Sequence, residues 1–160
     1  MRKHNIPYPK VLEQIALQMA MARSILSEDV YKEGTDKYRG ERELEISHLG
    51  VLAELIAMHG LSIKGIGAKF TNIVDTCPQI EPDITLQNGD TIDVKGLKGK
   101  YLRVNANAHD NKDKRPQFYW FIKPNSNYQA ENYLFSSTSI GNWEKVESTY
   151  TEVYQLKLDE

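Results

Sequence analysis

The hydrophobic period of this chain changes once, near Gly65, and that change most limits what it can fold into. Before it, Val11, Leu12, Ile15, Ala16, Met19, Ala22, Ile25 and Leu26 recur at the i, i+3/i+4 spacing of an amphipathic helix over residues 10–33. A second helical pattern runs from about residue 41 to 59 through Leu44, Ile46, Leu49, Leu52, Leu55, Ile56 and Met58, with Gly60 as its expected stop. After Gly65, β-branched and aromatic residues alternate in short runs, which predicts strands over 70–76, 80–86, 91–97, 101–104, 118–122 and 133–135. The tail over 142–160 suits either a helix or a final strand. Two helices ahead of a series of strands make an α/β chain, and its 160 residues, without repeat or linker, are read as a single domain.

Several function classes drop out early. The single Cys77 cannot form an internal disulfide, and His4, His48, His59 and His109 are too scattered to complete a zinc site with it. The basic start Met1-Arg2-Lys3-His4 runs into Ile6-Pro7-Tyr8-Pro9 rather than an apolar segment, so a cytoplasmic protein with no membrane partner is expected. The net charge of −2 excludes a histone-like polynucleotide coat. It also conceals a segregation: residues 1–92 sum to −3, residues 93–123 hold 8 basic against 3 acidic groups, and residues 124–160 sum to −4. The basic island interleaves Lys95, Lys98, Lys100, Arg103, Lys112, Lys114, Arg115 and Lys123 with Tyr101, Phe118, Tyr119 and Trp120. Such a composition suits phosphate contact and base stacking, although a solvated face balancing acidic neighbours has the same makeup.

The turn at Asn88-Gly89 carries the chemistry. A two-residue type I′ hairpin would set Ile84 opposite Asp93 and mix polar with apolar groups on both faces. A three-residue loop, Gln87-Asn88-Gly89 with Gly89 in the left-handed conformation, instead sets Ile84 opposite Ile92 and Asp83 opposite Asp93. Ile80, Pro82, Ile84, Leu86, Ile92 and Val94 then share one face, and Asp83, Asp93 and Lys95 the other with Glu81 and Thr85. Facing carboxylates about 5 Å apart at Cβ repel, so they require a shared proton, a cation or a positive neighbour. Mg²⁺, with Mn²⁺ as substitute, meets that need with few protein oxygens. Glu54, among Gly50, Val51, Ala57 and Met58 on the second helix, is a candidate third ligand; a surface carboxylate at the edge of the apolar face is the plainer alternative. Asp110-Asn111-Lys112 repeats the Asp-x-Lys spacing but sits in a polar stretch without strand character.

A helix bearing Gly50-Val51-Leu52-Ala53-Glu54, a strand, Pro82-Asp83, a short loop and Asp93-Val94-Lys95 together resemble the PD-(D/E)xK nuclease superfamily over roughly residues 41–123. The resemblance implies a restriction-endonuclease-like mixed central sheet flanked by helices. Residues 1–40 would then be an extra N-terminal helical extension and residues 124–160 a C-terminal one. It implies metal binding by Asp83, Asp93, the Val94 carbonyl and Glu54, with Lys95 orienting or activating the attacking hydroxide. It also implies hydrolysis of DNA phosphodiesters by a Mg²⁺-dependent endonuclease, with a homodimer serving to cut both strands. Lys98, Lys100, Arg103, Lys112, Lys114 and Arg115 are the expected DNA contacts. Residues 98–117 show no amphipathic pattern, so the family's crossover helix is expected to be short, irregular or replaced. The alternatives are a catalytically inactive nucleic-acid-binding or accessory module of the same fold, and an interaction domain in which Asp83, Asp93 and Lys95 form a salt-bridge ladder.

Overall fold

Strand β1 (His4–Pro7), which the sequence pattern does not announce, pairs antiparallel with a strand more than 120 residues later, His4 lying opposite Asn132. The structure is a computed structural model and describes residues 4–32, 43–71, 82–149 and 151–159. Helix α1 (Val11–Lys32) follows, then α2 (Glu43–Ile63). The two helices pack together, and α2 packs on the sheet. On α1 Ala16 and Ala20 are fully buried and Leu12 and Met19 pack partly against the same core, while Val11, Ile15, Met21 and Ile25 are exposed. The apolar stripe read from the sequence is therefore split: alanines permit the close helix approach, and several of the larger side chains face out.

Helix α2 buries Val51, Leu52, Ala53, Ile56, Ala57 and Leu61. Its segment Leu44–Ile63 is long and apolar enough to cross a bilayer, with mean hydropathy 1.4, a property shared by core helices of this kind. The helix does not stop at Gly60. A Cβ there would lie 3.2 Å from Ile6 Cγ2, so the glycine lets β1 approach the helix, and the chain turns instead at Gly65, whose φ is +67°.

Strands β2 (Ala68–Phe70), β3 (Ile84–Leu86) and β4 (Thr91–Gly96) form an antiparallel meander. The segment 72–81, which includes Cys77, Ile80, Glu81 and most of the strand expected over 70–76, lies outside the described residues. Strand β6 (Phe118–Lys123) adds parallel to β4, and β7 (Gln129–Ser136) adds antiparallel to β6. The sheet order is β1-β7-β6-β4-β3-β2, a mixed sheet with helices packed against it.

Between the parallel strands β4 and β6 the chain makes no long helix. It forms β5 (Tyr101–Asn105) and a five-residue helix, α3 (Ala106–Asp110), capped by Asn105, whose side chain accepts from the Ala108 amide at 3.1 Å. Strand β5 leaves the main sheet and joins β9 (Glu152–Lys157), which also pairs with β8 (Glu144–Glu147), in a second, three-stranded antiparallel sheet. The ambiguous tail is thus strand. The short helix α4 (Ser137–Ile140) occupies the serine-rich stretch after β7. One apolar cluster joins α1 and α2 to Ile84, Ile92, Val94, Trp120 and Ile122; another joins Leu102, Val104, Tyr119, Phe121, Tyr133 and Ile140 between the two sheets.

Candidate active site

Alternating burial along β4 sends Ile92 and Val94 into the helical core and leaves Asp93 and Lys95 on the opposite face, half-buried. The β3–β4 register is the one the apolar pattern requires: Ile84 faces Ile92 and Thr85 faces Thr91, with Gly89 at φ +90° in the connecting loop. Extending that register by one step sets Asp83 opposite Asp93, and by one more sets Pro82 opposite Val94.

Pro82 gives the site its character. The Leu86 amide donates to Asp90 O at 2.8 Å, so Leu86/Asp90, Ile84/Ile92 and Pro82/Val94 are the hydrogen-bonding pairs of the ladder. Proline has no N–H, and the ladder therefore offers the buried Val94 carbonyl no donor. The Val94 amide bonds the Asp83 carboxylate instead, 2.7 Å from Oδ2. Thr71 steadies the turn, its amide donating to Asp83 O at 3.0 Å and its hydroxyl to Pro82 O at 2.5 Å. A proline followed by aspartate at a strand end thus frees one carbonyl and pins one carboxylate beside it.

Electrostatic strain concentrates here. Burial, then the Asp93 and Glu54 charges, push the Asp83 carboxyl up to about 8, against the Val94 amide bond that lowers it; Asp83 and Asp93 come within hydrogen-bonding reach of each other. Glu54 is pushed up to about 7, mainly by burial, with Arg23 opposing: Arg23 Nη2 lies 3.5 Å from Glu54 Oε1. Lys95 Nζ sits 2.5 Å from Asp93 Oδ2. Burial alone would lower the Lys95 pKa, but Asp93, Asp83 and Glu54 together raise it, so the ammonium is retained at neutral pH.

Three carboxylates, a carbonyl without a ladder donor and one lysine are therefore brought into mutual electrostatic reach. Among the described residues no three His, Cys, Asp or Glu side chains are already gathered as a complete metal-holding group. The donor chemistry nonetheless fits a hard divalent cation: all are oxygens, and burial pushes the Asp83 and Glu54 carboxyls upward, a penalty on their charged forms that a bound cation would offset.

Asp93 and Lys95 open onto a cleft of about 380 Å³ whose far side is the loop 111–117. Its floor includes Tyr119, the parallel neighbour of Asp93, whose hydroxyl lies 3.0 Å from Nδ1 of the buried His109. Burial and then Arg115 lower the His109 pKa, which favours the neutral ring. Among the described residues His109 belongs to no metal-holding group, and Asp110 is engaged by the Tyr154 hydroxyl at 2.8 Å and Lys145 at 3.4 Å.

Of the basic residues singled out from the sequence, Lys114 and Arg115 line this cleft. Lys98 is paired with Glu45 at 2.8 Å, and Lys100 and Lys112 are exposed outside the cleft lining. Arg103 lies on the face of β5 opposite Val104, near the Tyr101 ring and donating to Gln155 Oε1 at 2.8 Å. The contact between Tyr119, which lines the cleft, and the buried His109 behind it is what sequence spacing missed; ten residues apart, they meet only because β6 returns beside β4. No protein-family model matches the chain, and no curated protein matches it.

Proposed function

We propose that this chain is a Mg²⁺-dependent endonuclease that hydrolyses DNA phosphodiester bonds, with a restriction-endonuclease-like fold. The observation that carries the reading is the Pro82-Asp83/Asp93-Val94-Lys95 strand pair, which gathers pinned carboxylates and a carbonyl without a ladder donor beside a cleft wall bearing Lys114 and Arg115. Topology supports it: helix α2, a three-stranded meander and a further strand parallel to the third follow the family's order, with β5 and α3 in place of the crossover helix.

Asp83, Asp93, Glu54 and the Val94 carbonyl would hold the cation, which when bound supplies hydroxide at neutral pH and neutralises phosphoryl charge. Lys95 retains its proton, so it orients the attacking oxygen as a donor and offsets negative charge rather than abstracting a proton. Asp93 fixes the Lys95 ammonium, and Arg23 holds Glu54 toward the strand pair. Lys114 and Arg115 supply positive charge to the phosphate backbone.

The test is nicking of supercoiled plasmid in Mg²⁺ or Mn²⁺ together with Mn²⁺ titration. Asp93→Ala should lose both nicking and metal binding; Lys95→Ala should keep the metal and lose turnover. Wild-type protein that binds DNA yet cleaves nothing with either ion would overturn the enzyme reading in favour of an inactive binding module. Protein that binds neither ion nor DNA would leave the carboxylates and lysine as a salt-bridge ladder.

A further inference from the structure

The loop 111–117 is braced more firmly than a connecting loop requires. The Lys114 and Arg115 amides both donate to Asn111 O at 3.0 Å, and the Asp113 amide donates to Asn111 Oδ1 at 3.0 Å. At its far end the Ser137 amide bonds Gln117 O at 2.8 Å and the Ser137 hydroxyl bonds Pro116 O. Within this frame Arg115 is half-buried and faces the cleft opposite Asp93 and Lys95. Its Nε donates to His109 O at 2.6 Å, the only hydrogen bond its guanidinium makes among the described residues. Asp113, on the same loop and in the same cleft, forms no ion pair with it.

A guanidinium carries five N–H donors in one plane. Anchoring Nε on a backbone carbonyl fixes that plane and leaves the four Nη hydrogens without partners among the described residues, in a partly desolvated space. A cation so placed is costly unless an anion joins it, and the geometry that suits two Nη groups is a pair of oxygens on one phosphorus.

We propose that Arg115, with Lys114 beside it, forms a phosphate subsite in which the two Nη groups fork the non-bridging oxygens of the phosphoryl group presented to Asp93 and Lys95. That this phosphate is the scissile diester of DNA rests on the nuclease reading; the subsite itself requires only a phosphate ester. Arg115 thereby differs in role from Lys98, Lys100, Arg103 and Lys112, which lie outside the cleft lining.

The experiment uses the whole chain and thymidine 3′,5′-bisphosphate as probe, with binding measured calorimetrically at low salt with and without Mg²⁺. Arg115→Gln keeps a donor for His109 O without charge or fork, and Arg115→Lys keeps the charge without the fork. Each should weaken bisphosphate binding by about 10- to 100-fold while leaving Mn²⁺ affinity within about twofold of wild type. Wild-type affinity in Arg115→Lys, or failure of the wild-type chain to bind the bisphosphate, overturns the subsite. Should Arg115→Gln fail to fold, Arg115→Lys decides alone. Arg115-dependent bisphosphate binding without any DNA cleavage would sink the nuclease reading and leave the subsite standing. DNA cleavage with kcat, KM and bisphosphate binding unchanged in Arg115→Lys would do the reverse.

Discussion

Asp83→Asn should make the metal-free protein more stable at pH 8 while removing its proposed activity. The amide keeps an oxygen for the Val94 N–H, whose bond to Asp83 Oδ2 is 2.7 Å, so the turn is not disturbed. What disappears is a carboxyl opposed to Asp93 and near Glu54. Two unit charges about 5 Å apart interact by about 3 kcal/mol at an effective dielectric of about 20. The raised pKa sets the pH window. Asp83 moves from 3.8 to about 8, so the folded state holds its proton more tightly than the unfolded chain. The stability linked to that proton is complete below about pH 4 and is lost as pH rises through about 8. Asparagine does not titrate, so its advantage over the wild type grows across that window and reaches about 3 kcal/mol at its upper end. For a chain of this size that is a rise of about 6–12 °C in the melting temperature at pH 8, fading toward zero at pH 4. Thermal melts of both proteins at pH 4, 6 and 8 in chelator measure this directly. Mg²⁺ or Mn²⁺ added at pH 8 should raise the wild-type melting temperature and leave Asp83→Asn unchanged. A variant less stable than wild type at pH 8, or a difference independent of pH, would refute the electrostatic account of the strand pair.

Glu54→Gln should preserve the contact with Arg23 but weaken Mn²⁺ binding by about 10-fold or more, as titration of the two proteins would show; equal affinities would remove Glu54 from the ligand set. Gly96→Ala should lower the denaturant midpoint by the equivalent of about 1–3 kcal/mol, because the new methyl would stand 2.6 Å from Leu49 Cγ and 2.9 Å from the Leu49 carbonyl oxygen, which is backbone and cannot turn aside. Since α2 must then shift with its Glu54, plasmid nicking should fall as well. Tyr119→Phe leaves Nδ1 of the buried His109 without its 3.0 Å partner, and urea denaturation should report a loss of about 1–3 kcal/mol; an unchanged midpoint would mean that water replaces the hydroxyl.

The hairpin that carries the site was legible because a slip of one residue would have put Ile84 on the opposite face from Ile92 and Val94, an error large enough to fix the register from the apolar pattern. Asp83, Asp93 and Lys95 followed from that register. Glu54 was visible as a charged residue in an apolar helical setting, but its Arg23 partner was not, since nothing local links positions 31 residues apart. Strand β1 escaped notice because four residues, one of them proline, carry too little periodicity, and their pairing with β7 is entirely long-range. Gly60 was misread as a helix stop because sequence shows a missing side chain without showing whether a turn or a neighbouring strand needs the space. The role of Pro82 became visible only with the ladder, where its missing N–H acquires a definite partner atom to leave alone.

Among the described residues β5 has β9 as its only strand partner, with Arg103 and Gln155 separated by 52 positions. The far wall of the cleft is built on this arrangement, since α3 and the loop bearing Arg115 continue directly from β5. During synthesis, therefore, α2 and the β2–β4 meander emerge well before β9, the strand that pairs with β5. At typical elongation rates the interval is several seconds. At that stage the chain carries the acidic cluster while the wall opposite it still lacks the strand that supports β5.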